Sequence, residues 1–244
     1  MTVRSKSVGI APPQRGSIGL PRSKVIMWKL RILAVVMITV LGACAPPTPT
    51  GQVTIVDDST IEFPAQVSGR GFADSSMAGY HLIVWDQGGV ADHSLFVASV
   101  SDVQVLDALE NLGARPGNAL TIDSWDERNE PDTEAPDRVI EGPRVHIEII
   151  LTDGTVLALT DFLTDEGGRG FDMRLGGHRD NIPEWHSGCV VCLYSCPGSK
   201  VGNASYTVRD FVAGEAHFQV NENILPLERT EVAVRFRLES ETVP

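Results

Sequence analysis

The residues most able to do chemistry are gathered in one run, Trp185-His186-Ser187-Gly188-Cys189-Val190-Val191-Cys192-Leu193-Tyr194-Ser195-Cys196-Pro197-Gly198, which holds three of the four cysteines. Its spacing is H-x2-C-x2-C-x3-C-P. Four thiolates spaced C-x2-C-x2-C-x3-C-P ligate iron–sulfur clusters, and here His186 stands in the first position. Short spacings let soft ligands converge on one ion or cluster without a long loop being closed first. Three readings follow. In the first, Cys189, Cys192, Cys196 and His186 hold an iron–sulfur cluster, with Tyr194 and Trp185 as an apolar shield. In the second, the same four groups bind zinc tetrahedrally as a closed Cys3His site. In the third, two of the cysteines form a disulfide and one thiol is left odd.

Around the run, Ser199-Lys200 and Gly202 are expected to shape a backbone whose amides can bond to thiolate sulfur. The other histidines have plainer readings. His81 sits in an apolar strand as a satisfied core residue, and His146 alternates with Ile147 and Ile149 at the surface. His178 and His217 are treated as bystanders. No G-x-S-x-G elbow, H-E-x-x-H pair or phosphate-cradling glycine loop is present, and the carboxylates form no pair that sequence can assign. An enzyme is therefore not the expected class.

The elements that must position the run are mostly strands. Val53 to Val67 reads as strand with a turn at Asp57-Asp58-Ser59, and Tyr80 to Trp85 and Ser94 to Val100 as two more. Ser101 with Gln104 forms a capping box, and Val105, Ala108, Leu109 and Leu112 line one face of the helix it starts. Gly113 and Pro116-Gly117 end that helix. Asp123 to Asp137 is acidic and broken by proline, and reads as a solvated loop rather than a calcium loop. Val145 to Leu151 and Val156 to Phe162 flank Asp153-Gly154 as a hairpin. Ser205 to Phe211 and Glu231 to Leu238 alternate as strands. The expected class is α+β: a strand-rich single domain with one clear amphipathic helix and an irregular Cys-rich loop.

The N-terminal segment predicts export. Met27 to Arg31 is a short basic start, Ile32 to Val40 an apolar run too short to span a bilayer, and Leu41-Gly42-Ala43-Cys44 a small-residue close. Residues 1–43 thus read as a signal peptide, with 1–26 an upstream extension because Met27 alone would begin a well-formed signal. Residues 1–44 carry seven of the 20 Lys and Arg and none of the 32 Asp and Glu. What remains has a formal charge of −19, which disfavours nucleic acid as a partner. Ala45 to Thr50 is a Pro/Thr stalk, so residues 44–52 form a tether and 53–244 the domain, with its cysteine cluster at 186–197.

Leu41-Gly42-Ala43-Cys44 resembles the lipobox of bacterial lipoproteins. That resemblance implies cleavage before Cys44, a diacylglyceryl group on its sulfur, and membrane attachment through the lipid. Ala45, with no Asp after the lipid cysteine, implies the periplasmic face of an outer membrane where the organism has one. Asp92-His93-Ser94-Leu95-Phe96, Leu109-Glu110-Asn111-Leu112-Gly113-Ala114-Arg115-Pro116-Gly117 and Gly188-Cys189 through Asn203 together resemble the YdjY-type domain, a bacterial family labelled ferredoxin-like. Ser94 stands where that family tends to have Glu. The resemblance implies an iron–sulfur or metal role for Cys189, Cys192 and Cys196. The signal lacks twin arginines, so the chain is expected to cross unfolded, which suits zinc acquired after export. The resemblance favours the cluster. The expected function is a lipid-anchored extracytoplasmic metal-binding protein, ferredoxin-like, serving electron transfer with a redox protein partner. The alternative is a binding or scaffold lipoprotein with a structural zinc site or a disulfide.

Overall fold

The computed structural model describes residues 51–69, 72, 80–117, 120–130, 137–177 and 179–239. The signal segment, Cys44 and the stalk as far as Thr50 lie outside the described residues, as do His178 and positions 131–136 of the acidic segment. No helix among the described residues is long and apolar enough to cross a membrane.

Local chemistry explains most elements. Strand β1 (Thr54–Asp57) turns into β2 (Thr60–Val67) where the Asp57 carboxylate accepts the Ser59 amide at 2.8 Å. In β2, Ile61, Phe63, Ala65 and Val67 are buried while Pro64 and Gln66 are exposed, the period-two signature of a strand with one wet face. Strands β3 (His81–Trp85) and β4 (Ser94–Ala98) are buried almost throughout, as central strands covered on both faces must be. The helix α1 (Asp102–Asn111) begins with the anticipated capping box. The Ser101 hydroxyl accepts the Gln104 amide at 3.1 Å, and the Gln104 side-chain oxygen accepts the Ser101 amide at 2.9 Å. Val105, Leu106, Ala108 and Leu109 bury one face, and Gly113, at φ +87°, ends the helix. Strands β5 (Val145–Ile150) and β6 (Val156–Ala158) form the Asp-Gly hairpin, with Gly154 at φ +86°. Strand β6 is shorter than expected because Leu159–Phe162 winds into a 3-10 turn that buries Leu159 and Phe162.

Two sequence expectations fail for identifiable reasons. Within the acidic segment, Ile122–Asp126 forms a one-turn helix, α2, and Trp125 packs against Trp185 with ring centroids 5.1 Å apart. One aromatic anchor there outweighs the charge around it. Ser205 to Phe211 is not a strand. Thr207 and Asp210 exchange capping bonds of 3.1 and 2.8 Å and start the short helix Val208–Val212. The local capping bonds override the alternation of the side chains.

The remaining strands are β7 (Leu163–Asp165), β8 (Met173–Leu175), β9 (Cys189–Cys192), β10 (Val201–Asn203), β11 (Phe218–Val220) and β12 (Glu231–Leu238). The main sheet runs β6-β5-β12-β2-β4-β3-β9-β10-β8, with β1 paired to β2, and β7 pairs with β11 separately. It is mixed, since β3–β4 and β9–β10 are parallel and the other neighbours antiparallel. A bridge between Arg144, just before β5, and Arg174 of β8 draws the two ends together, so the sheet curls around its core. The architecture is α+β, strand-rich, with α1 the one helix longer than two turns among the described residues. The cysteine run is half strand and half loop.

Candidate metal centre

Cys189 and Cys192 are three residues apart, so on a regular strand their side chains would point to opposite faces. The pairing of β9 with β3 removes that conflict. The partners are Val84 with Cys189, Ile83 with Val191 and His81 with Cys192, so Val190 is an extra residue on β9 and Leu82 an extra residue on β3. A bulge of this kind re-aims side chains, and the one at Val190 returns both cysteines to the same side. His81, opposite Cys192 in the ladder, joins them. One donor atom from each of His81, Cys189 and Cys192 lies within 4.8 Å of the others, and all three residues are buried. The His81 Nδ1 to Cys189 Sγ distance is 3.5 Å.

Cys196 lies outside that mutually close set of three and joins the site through its hydrogen bond with Cys192. After β9 the chain turns over buried Leu193, Tyr194 and Ser195. The Ser195 hydroxyl accepts the Ile140 amide at 2.8 Å and donates to the Asn203 carbonyl at 3.2 Å, which fixes the loop. Gly198 lies beneath the Trp185 ring, where a β-carbon would come within 2.7 Å of it. Upstream, Gly188 at φ +68° faces Gly88, whose Cα would be 2.6 Å from a β-carbon at position 188. That close crossing requires glycine and delivers the chain into Cys189.

All three cysteines are free thiols. They share protons unequally. The hydrogen bond from Cys192, then that from His81 and the charges of His81 and Lys200, overcome burial and bring the Cys189 pKa well below its usual value. The Cys192 hydrogen bond also lowers Cys196, helped by the Gly198 amide. Burial, together with those same two neighbours, pushes Cys192 well above its usual value. Burial pulls His81 down, but the hydrogen bond to Cys189 and its thiolate charge win, and its pKa is raised. Tyr194 is raised by burial and by the Cys196 and Cys192 charges. Thiolates in an enclosed pocket are the chemical form that soft metal ions require.

A buried ion pair stands behind the site. Lys200 Nζ lies 2.6 Å from Asp102 Oδ2 and donates to the Gly198 carbonyl at 3.1 Å. Lys200 is 2% exposed and Asp102 5%. The pair ties the first turn of α1 to the cysteine loop, an interaction of two residues 98 positions apart that no local pattern reveals.

The structure does not bring His186 to the cysteines. Its ring is exposed and its backbone, at φ +44°, closes the turn after the short helix Ile182–Trp185. Its carbonyl accepts the Gly89 amide at 3.0 Å, so its contribution is backbone geometry. The histidine at the cysteines is His81, which sequence reasoning assigned to the core. The signal was visible only in hindsight, as one polar residue in the apolar strand His81–Trp85. Of the others, His146 is exposed, and exposed His217 pairs with Glu166 away from the cysteines.

Beside the sulfurs lies a cavity of about 210 Å³ lined by Tyr80, His81, Val90, Trp125, Trp185 and Tyr194, and reaching Cys189 and Cys196. Among the described residues, His81 Nε2 and the Tyr194 hydroxyl are buried without a hydrogen-bond partner.

Comparison with known proteins places this site in a family. A family model described as the YdjY domain matches residues 55–237. The chain is 29% identical over 184 residues to a protein of Escherichia coli (strain K12) whose name is "Uncharacterized protein YdjY", covering 75% of this chain and 76% of that protein. No solved structure matches. The described strands β2 to β11, β12 except for Leu238, and all three cysteines of the run fall inside the matched span, and the chain belongs to the YdjY domain family.

Proposed function

We propose that this protein is a lipid-anchored, extracytoplasmic metal-binding protein that holds one soft divalent ion, zinc, on His81 Nδ1 and on the sulfurs of Cys189, Cys192 and Cys196. The observation that carries the reading is the convergence of buried His81, Cys189 and Cys192 within 4.8 Å. Tetrahedral zinc with bonds of roughly 2.0–2.1 Å to nitrogen and 2.3 Å to sulfur separates nitrogen from sulfur by about 3.5–3.6 Å and two sulfurs by about 3.8 Å. The 3.5 Å between His81 Nδ1 and Cys189 Sγ fits that edge. Donors this crowded suit one ion better than a cluster, whose ligands sit on different iron atoms. Bound zinc would fix β3, β9 and the cysteine loop together, and its uptake would displace the proton that Cys192 holds at neutral pH.

An iron–sulfur centre serving a redox partner is the second reading. The register Cys189-x2-Cys192-x3-Cys196-Pro197 favours it. Metal analysis of protein isolated from its native compartment without oxygen separates the two. One zinc per chain and a colourless protein is the expected result. Iron with acid-labile sulfide and visible absorption would replace zinc by the cluster.

Attachment to the membrane rests on Leu41-Gly42-Ala43-Cys44 and on the Pro/Thr stalk that follows. A single acyl chain binds marginally, and the two of a diacylglyceryl group hold firmly. Cys44→Ser is expected to move the protein from the membrane pellet to the soluble fraction. Continued sedimentation after a high-salt wash would remove the lipid from the account.

A further inference from the structure

We propose that the cavity beside the cysteines binds a small, neutral, aromatic carbonyl compound, with its ring among Tyr80, Trp125, Trp185 and Tyr194 and its oxygen accepting a hydrogen bond from His81 Nε2. The inference rests on the metal reading. An ion on Nδ1 leaves the imidazole proton on Nε2, and a metal-bound histidine hands that N–H to a carboxylate, carbonyl or water. No such partner exists among the described residues, although His81 is only 6% exposed. A buried donor with nothing to bond is costly, so an acceptor arriving from outside gains more than an ordinary hydrogen bond.

Size and lining define the rest of the ligand. An apolar cavity of about 150 Å³ takes up benzene. The 210 Å³ here leaves room for one ring and a short substituent. Two aromatic pairs form the walls: Tyr80–Tyr194 with centroids 5.1 Å apart, and Trp125–Trp185 at 5.1 Å in edge-to-face contact. Aromatic walls favour a flat apolar body in offset or edge-on contact. Neutrality follows from the neighbours. Cys189 and Cys196 line the same cavity, and a carboxylate beside their sulfurs in a dry space would be repelled. The Tyr194 hydroxyl, beside the Cys196 sulfur but without the geometry of a hydrogen bond, is a second donor for an oxygen.

The test uses the full chain, with metal per chain measured on the same sample. Benzamide is titrated by calorimetry and by the fluorescence of Trp125 and Trp185, beside toluene, which lacks the acceptor, and tetramethylammonium, which would seek an aromatic cage. Benzamide is expected to bind once per chain and at least tenfold more tightly than toluene. Val90→Phe, which fills the cavity from the half-buried Val90, is expected to weaken benzamide at least tenfold while leaving the metal content unchanged. A fully metal-loaded chain that ignores benzamide, binds toluene equally well or prefers tetramethylammonium overturns this inference alone. A chain that takes up no metal overturns it together with the metal reading.

Discussion

Replacing Lys200 with methionine is expected to destabilise the fold by about 3–5 kcal/mol, the usual cost of stranding one charge of a buried pair. The partner left behind is Asp102, which among the described residues keeps its bond from the Val103 amide at 3.0 Å and the favourable N-terminus of α1. Lys200 also holds the Gly198 carbonyl, so the same change loosens the turn that presents Cys196. The double variant Lys200→Met with Asp102→Leu should recover most of the loss, because the desolvation penalty disappears with the pair. Urea unfolding measures both. A double variant no more stable than the single one would mean that the pair acts through its position rather than its charge.

Removing the ion should have a comparable effect. A ligand that binds only the folded state adds stability by mass action, about 4 kcal/mol when it is a thousandfold above its dissociation constant. On the proposed zinc reading, stripping the ion with a chelator under reducing conditions is therefore expected to lower the unfolding midpoint reversibly, with readdition restoring it. The core need not collapse, since Val190, Val191 and Leu193 are buried in the same apolar core as the strands around them. An unfolding curve indifferent to verified ion removal would make the site an ornament on a self-sufficient sheet.

Much of the fold is legible in the sequence because its causes are local. The Ser101–Gln104 capping box, the Asp153-Gly154 hairpin and the alternation in β2 and β12 each depend on a few neighbouring residues. The cysteines are legible for the same reason, since their spacing is contiguous. Their histidine is not. His81 and Cys189 are 108 positions apart and meet only because β3 pairs with β9 through two register shifts. No periodicity within either strand encodes a bulge on its partner. His186 stood at the right spacing, but a left-handed turn points its ring to solvent. Trp125 was hidden by the carboxylates around it, and the pairing of Lys200 with Asp102 spans 98 positions that no local pattern connects.

His81, with the three cysteines, is proposed to hold the ion. The direct measurement is metal per chain in His81→Ala and His186→Ala, each purified alongside the unaltered protein with its fold checked by circular dichroism. His81→Ala is expected to lose the ion or bind it at least tenfold more weakly, while His186→Ala retains one per chain. Full occupancy in His81→Ala together with loss in His186→Ala would contradict this assignment.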